Sequence, residues 1–538
     1  MRGGNNCIIT RVRLQMIVQT VGTDIKGEMK DQYKQILTPE VIQFIEQLEL
    51  RFGESRLELL AKREERQKEI DEGKLPHFLE ETKHIREADW EIGPLPKDLQ
   101  DRRVEITGSV DRKTIIHSLN SGANVFIACF EDATSPTWEN VMNGQVNLRN
   151  AVKRTISFED TNGKFQTLND ETAVLMVRPR GLHLEEKHVL LDGKPISASL
   201  FDFGVYFFHT AVEAVKNDTG PYFYLPKLES YLEARWWNDV FGYAQKYVGI
   251  PNGTVKATVL IESIMAAFEM NEILYELKDH SAGLKCGELN YLFSYIKRLR
   301  NHPNAILPDR QLVTMTVPLM RSCSALTIQT CHKRNAPAIG GMAAQLPKNE
   351  QEMTKVYAEI KREAREGHDG TWVSDPTLVP IAMDAFHSEM PLANQIHLQK
   401  QMDMTITQKD LLTVPDGEIT EVGVRQNIRA GILSMESWLS GKRSTPHSHL
   451  MEDTDTAIVE ICRSQLWQWI RHPKGFLHDG RKVTFQMYEN LKERELSEIR
   501  ELFGYEDHRF DEAEKLFDKL ISEEEFIDFF TLLGYEIL

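Results

Sequence analysis

Val174-Leu175-Met176-Val177-Arg178-Pro179 is four apolar residues that stop on an arginine and then a proline. Shorter or longer runs of the same kind stand at 104–107, 125–130, 222–225, 255–261 and 336–339, separated by helical or loop stretches. Strands buried on both faces read as continuous apolar runs, and their alternation with helices points to parallel strands joined by crossovers. Several runs end in polar residues: Glu131-Asp132, Arg178, Lys227 and Glu229, and Glu262. At the carboxyl ends of barrel strands such groups are site candidates. Periodicity alone does not separate a closed barrel from an open doubly wound sheet. No GxGxxG turn opens the region, which weighs against a dinucleotide fold.

Outward from this core, Thr38-Pro39-Glu40 suits a helix start, and apolar positions follow at helical spacing to about residue 74. The segment 75–101 is rich in proline, glycine and charge and reads as a connection. From about residue 400 the pattern turns helical, with a turn region at 411–416 and amphipathic stretches at 424–439, 457–470 and 511–530. The expected division is an N-terminal helical region at 1–100, an α/β catalytic domain at 101–399 and a C-terminal helical domain at 400–538. No internal repeat or low-complexity tract interrupts it.

A chain of 538 residues has room for a barrel, which takes about 250 residues, and for helical additions. With 41% hydrophobic and 27% charged residues it is an ordinary globular composition. A net charge of −17 excludes the broad basic surface of a non-specific nucleic-acid binder, while leaving room for a local basic pocket. Six scattered cysteines without a CxxC pair argue against a zinc site or disulfide framework and for reduced thiols. No run reaches about 18 apolar residues, so no membrane span is expected. Arg2, Arg11 and Arg13, with no acidic residue before Asp24, have a transit-peptide composition, and the C-terminal Tyr535-Glu536-Ile537-Leu538 is not a Ser-Lys-Leu address. A cytoplasmic location is expected, with an organelle as the alternative.

The run Met176-Val177-Arg178-Pro179-Arg180-Gly181-Leu182-His183-Leu184 resembles the arginine-bearing strand end of the A-type malate synthases. Similar to the same family are Phe130-Glu131-Asp132-Ala133, Ser135-Pro136-Thr137-Trp138, Tyr224-Leu225-Pro226-Lys227, Ile261-Glu262, Asp279-His280-Ser281-Ala282-Gly283, Gly340-Gly341-Met342-Ala343-Ala344 and Leu450-Met451-Glu452-Asp453. They occur in family order through nearly the whole chain. The resemblance implies a TIM (β/α)8 barrel with an N-terminal helical region and a C-terminal helical domain that carries the catalytic base. It also implies condensation of acetyl-CoA with glyoxylate through an enolate, with a magnesium ion clamping glyoxylate.

On this resemblance Asp453 matches the base. The spacer from Thr454 to Val459, before Glu460, is two residues longer than the family's, so aligning from the other side selects Asp455. Arg178 matches the arginine that holds glyoxylate oxygens and stabilises developing negative charge, a task suited to a permanently charged planar donor. Taken by itself, a strand-end arginine also suits an ion pair. Arg180 reads as support. Glu262 matches one magnesium ligand, and as a bare carboxylate equally suits pairing with Lys227 or Arg178. Asn290 stands where the second ligand is an aspartate; an amide oxygen can coordinate magnesium but brings no charge. Glu288 could substitute if the segment were a strand, not if it were a helix.

Glu131 and Asp132 are candidates for the metal side or for water binding, with strand-end ion pairing as the plainer alternative. Gly340-Gly341 allows close approach by substrate or CoA, or simply a turn. Cys129 replaces an aspartate of the family pattern, and Ser374-Asp375-Pro376 replaces Ala-His-Pro. His183 and His332 lack partners at metal-ligand spacing and read as structural, and Met320 and Met342 read as core. Two other activities fit the same residues: a related acyl-CoA lyase or synthase using another 2-oxo acid, and a catalytically retired paralogue that binds CoA or a protein partner.

Overall fold

The computed structural model describes residues 22–344, 346–441, 456–503 and 508–538. Eight strands close into a barrel: β1 (Val104–Gly108), β2 (Val125–Cys129), β3 (Val174–Arg178), β4 (Tyr222–Leu225), β5 (Lys256–Ile261), β6 (Ser281–Cys286), β7 (Ala338–Ala343) and β8 (Gly370–Val373). Each pairs in parallel with the next in chain order, and β8 returns to β1. This settles the closed barrel over the open sheet. The apolar runs give six of the strands. They miss β6, where Gly283 and Lys285 interrupt the apolar pattern, and β8, which is four residues long.

The period-2 alternation of a strand explains the two cores. Val125 and Ile127 point into the barrel with Met176, Tyr224, Leu260, Ile339 and Trp372, whereas Phe126 and Ala128 point out against the helices. Inside the barrel a buried polar group is fully engaged. Glu105 accepts Arg102 Nε at 2.6 Å and Trp372 Nε1 at 2.9 Å, and also the Tyr224 hydroxyl. Satisfied in this way, the group stiffens the interior instead of costing the several kcal/mol of an orphan charge.

Helix α1 (Pro39–Asp71) begins with Thr38 in extended conformation and proline at its first position. Its Phe44, Ile45 and Leu48 are buried, and it packs on the helix Ala198–Lys216. It also sends two buried guanidiniums toward the barrel. Arg56 Nη1 reaches the Leu182 carbonyl at 2.7 Å, and Arg63 Nη2 the Lys227 carbonyl at 2.8 Å. A three-stranded antiparallel sheet joins Thr23–Ile25 to the hairpin Glu185–Leu191 and Lys194–Ser197.

In the C-terminal region, α4 (Glu421–Leu439) packs on α5 (Thr456–Arg471), and α5 packs on α2 (Leu289–Leu299), the helix that follows β6. The expected 411–416 turn overlaps a short helix, Gln408–Leu412, and the expected 511–530 helix ends at Ser522, so 523–529 is irregular. A further helix, Phe485–Phe503, was not resolved by the apolar pattern. Among the described residues, no helix is long and apolar enough to cross a membrane.

Gly283 sits where β6 crosses the entry to β7. Its φ is +96°, and a Cβ there would lie 2.0 Å from the Pro337 carbonyl oxygen. Both the left-handed backbone and the close approach exclude a side chain. Gly283→Ala should therefore destabilise the protein by about 3 kcal/mol or more, combining backbone strain with overpacking. Urea unfolding measures this; a midpoint equal to that of the unaltered protein would contradict the contact.

Candidate functional site

The polar residues that end the strands converge at the carboxyl mouth of the barrel. Arg178, the last residue of β3, places Nη2 2.6 Å from Asp132 Oδ2 and 3.0 and 3.1 Å from the two Glu262 oxygens. Lys227, after β4, donates from Nζ to Glu131 Oε1 at 2.6 Å and Asp132 Oδ1 at 2.8 Å. Asn290, the second residue of α2, donates from Nδ2 to Glu262 Oε2 at 2.9 Å and Asp132 Oδ2 at 3.1 Å. All six side chains are buried. Arg178, Glu262, Asn290, Glu131 and Asp132 are thus brought into one cluster.

Burial opposes ionisation of Asp132, but Arg178 and Lys227 outweigh it and hold the carboxyl well below the ordinary range. For Glu131 burial prevails over Lys227, and the neighbouring Asp132 charge adds to it, so its carboxyl is pushed up. Burial acts to lower Lys227 and Arg178, yet the surrounding carboxylates raise both. Lys227 has a left-handed backbone, φ +53°, unusual for a residue with a side chain. Contacts on every side fix it. Its N–H donates to Glu262 Oε1 at 2.7 Å, its carbonyl accepts Arg63, and its ammonium is held as above. Strain of this kind persists where surrounding structure over-determines it, which is characteristic of functional sites.

Cys129 Sγ accepts the Asp132 N–H at 3.3 Å and lies 3.8 Å from Arg178 Nη1, so the thiol takes part in orienting the arginine. Arg180 is bound on both sides by Asp202 and Glu186, as a supporting residue. His183 stacks on Phe529 with ring centroids 3.9 Å apart and its Nε2 lies 3.9 Å from Glu131 Oε1, at the edge of the cluster, whereas His332 bonds Asp369 at 3.1 Å. Glu288 precedes the first residue of a helix, so it does not share a face with Asn290. Gly340 and Gly341 give their space to Glu363 of α3 (Glu350–Glu366): a Cβ at either would lie 2.6 or 2.7 Å from its carboxyl oxygens.

A cavity of about 640 Å³ is lined by Arg178, Glu262, Lys285, Asn290 and Trp372, and by Ala457 of α5. A second, of about 910 Å³, is lined by Arg112, Lys113, Asp375, Pro376, Trp438 and Gly441. Asp132 lines both. Thr456 Oγ1 donates to Asp132 Oδ1 at 2.6 Å, which brings the first residue of α5 onto the cluster. Asp453 and Asp455 lie outside the described residues. The apolar runs of the sequence point to neither Thr456 nor Lys285. Lys285 had a signal, a lone cation in an otherwise uncharged hexapeptide, but β6 was not identified as a strand.

A magnesium ion at this mouth would need carboxylate oxygens with free lone pairs. Glu262 takes four hydrogen bonds, two on each oxygen. Asp132 takes three hydrogen bonds and the Arg178 ion pair. An ionised carboxylate has about four lone-pair sites; Arg178 Nη2 has two protons for three of these contacts, so the two carboxylates together keep about one free site, too few for a metal that takes several oxygens. Asn290 Oδ1 is buried without a hydrogen-bond partner and is neutral. Among the described residues no group of three His, Cys, Asp or Glu side chains is arranged to hold a metal. As arranged, the cluster does not fit magnesium, which seeks carboxylate oxygen in octahedral geometry.

Comparison with known proteins gives three matching family models: malate synthase N-terminal domain at 21–84, malate synthase TIM barrel domain at 174–414 and malate synthase C-terminal at 418–538. A malate synthase of Myxococcus xanthus is 52% identical over 526 residues, covering 96% of each chain. One of Dictyostelium discoideum is 49% identical, covering 96% of this chain and 97% of its own. Malate synthase A of Escherichia coli is 47% identical, covering 94% and 96%.

Glu363 beside the two glycines is pushed by burial up to about 7 from 4.5, partly offset by the Thr371 hydroxyl. Between these values the folded protein holds a proton that the unfolded chain has lost, so this group makes stability fall as pH rises from about 4.5 to about 7. Glu363→Gln should flatten that fall. Thermal melting across this range checks it; an unchanged slope would mean the carboxyl is ionised in the fold.

Proposed function

The chain belongs to the malate synthase family, and from that premise we propose that its barrel mouth condenses acetyl-CoA with glyoxylate and water to give malate and CoA. The observation that carries the proposal is Arg178, buried at a strand end, held by two carboxylates and facing a cavity of about 640 Å³. A base takes a methyl proton from acetyl-CoA, and the enolate carbon attacks the glyoxylate aldehyde carbon. The resulting alkoxide takes up a proton, and water cleaves the thioester of malyl-CoA to release CoA.

Negative charge moves onto the enolate and then the alkoxide oxygen. A permanently charged guanidinium already aligned there lowers the barrier without reorganising at the moment of reaction. Asp132 and Glu262 align it and are positioning residues. Glu131 acts one step further out, through Lys227, which spans Glu131 and Asp132. The cleft of about 910 Å³, with Arg112 and Lys113 on its wall, suits the phosphorylated arm of CoA and opens toward Asp132.

We assign the base to Asp453, with Asp455 as the alternative. Asp453 stands three residues before Thr456 in the chain and Asp455 one, and Thr456 itself bonds Asp132. Magnesium is implied by the family resemblance, but the engaged carboxylates do not fit it, and no step above is routed through a metal.

CoA release from acetyl-CoA with glyoxylate tests the assignment. Asp453→Asn should abolish turnover with folding intact, and Asp455→Asn should leave it nearly unchanged; the reverse result moves the base to Asp455. Arg178→Lys should lower kcat/KM by about 100- to 1,000-fold, the usual cost of losing one oriented oxyanion donor. Release with pyruvate but not glyoxylate would replace the acceptor. No release with any 2-oxo acid would leave a binding protein on this scaffold.

A further inference from the structure

Lys285 is the sixth charged side chain of the barrel mouth and the one the proposed chemistry leaves unused. It is the inward-facing residue of β6, between Leu260 of β5 and Ile339 of β7 in register, and both of these neighbours line the barrel interior. Its side chain is 4% exposed. Among the described residues no carboxylate lies within ion-pairing distance of its Nζ, which instead sits 4.5 Å from the centre of the Trp372 ring. Burial, helped by Arg178, pulls its ammonium below the ordinary range, against Cys286, Glu262 and Glu363, which favour the charged form.

A buried ammonium with no counter-ion is costly, and a cation–π contact offsets only part of that cost. A small anion in the cavity would supply the missing partner. The cavity already joins Lys285 to Arg178 and to Asn290, and Arg178 Nε and Asn290 Oδ1 are both buried there without a hydrogen-bond partner. The three carboxylates of the cluster are opposed by two cations within it, Arg178 and Lys227, and Lys285 makes the third. The carboxylates that would bind a divalent cation are held by protein donors on every oxygen, whereas this monovalent cation is fixed to the chain and has the Trp372 ring but no counter-ion.

Resting on the reading of glyoxylate as acceptor, we propose that Lys285 and Arg178 together hold the carboxylate and aldehyde oxygens of the 2-oxo acid, so that a fixed ammonium supplies the charge this donor set cannot recruit as a metal. Trp372 forms the floor beneath the ammonium and aims it. The bound acid pairs the orphaned charge, and in the reaction the same charge faces the alkoxide oxygen.

Calorimetric titration of glyoxylate into the full-length protein, in EDTA and in magnesium, tests this. The expected result is binding in both buffers with affinities within about threefold, and a weakening of about 10- to 100-fold in Lys285→Met, the usual range for a lost hydrogen bond to a charged group. Met keeps the contact with Trp372, and thermal melting monitors the fold. The two-buffer comparison on the unaltered chain stands even if that variant does not fold. Binding that requires magnesium and is indifferent to Lys285→Met overturns the role of Lys285 alone. Absence of glyoxylate binding in both buffers overturns the acceptor assignment and this role with it.

Discussion

Carboxylates carried into a nearly dry barrel mouth must have every oxygen engaged, and the arrangement of the site follows from that constraint. Glu262 and Asp132 meet it only because four elements deliver donors to one point: β3 with Arg178, the turn after β4 with Lys227, α2 with Asn290 and α5 with Thr456. Removing any one donor leaves a buried anion short of a partner, at a cost of several kcal/mol. The left-handed backbone of Lys227 makes sense in the same terms. It turns both the N–H and the ammonium of one residue toward the cluster, while Arg63 of α1 fixes the carbonyl on the other side.

The same electrostatic logic reaches outward. Arg63 also pairs with Glu233 at 2.7 Å, Arg298 of α2 pairs with Glu229, and Lys297 pairs with Asp528 at 2.9 Å. Asp528 is held well below the usual carboxylate range by Lys297 and Arg298, against burial. A continuous set of ion pairs, buried except at the half-exposed Asp528, thus connects the N-terminal helix, the loop after β4, α2 and the C-terminal region. Such pairs add less to stability than their number suggests, because each ion is desolvated. Their contribution is orientation: each has a direction and a length, which apolar contacts lack.

Much of this was legible in the sequence. Arg178, Glu262 and Asp132 were visible because a polar residue that terminates an apolar run is at a strand end, and strand ends of one barrel meet. The plain alternative for Glu262, pairing with Lys227 or Arg178, is met in the structure by Arg178, with only the backbone N–H of Lys227 added, and pattern alone could not rank it against metal binding. Ranking needed the count of lone pairs, which depends on Asn290 arriving as a donor. Gly340 and Gly341 were visible as a place of close approach, but the partner, Glu363, is on a helix more than twenty residues later. Lys285 was hidden because a strand with glycine and lysine in it has no apolar signature, although its neighbours on both sides do.

The coupling between the C-terminal region and the mouth rests on α5. At one end Thr456 directs its hydroxyl and N–H to Asp132. Toward the other end Gln465 and Gln468 donate to the carbonyls of Pro308 and Ala305 at 2.8 and 2.6 Å, and the Trp469 indole to Leu307 at 2.8 Å. These amides are buried, so each bond is one that cannot be exchanged for water without moving the helix. From Thr456 to Trp469 a straight helix spans about 20 Å at 1.5 Å per residue, and its stiffness ties the two ends together. A segment of backbone between α2 and β7 therefore sets the distance at which α5 meets Asp132. Any displacement of that docking would open the Thr456 contact and strip a donor from Asp132, which lines both cavities.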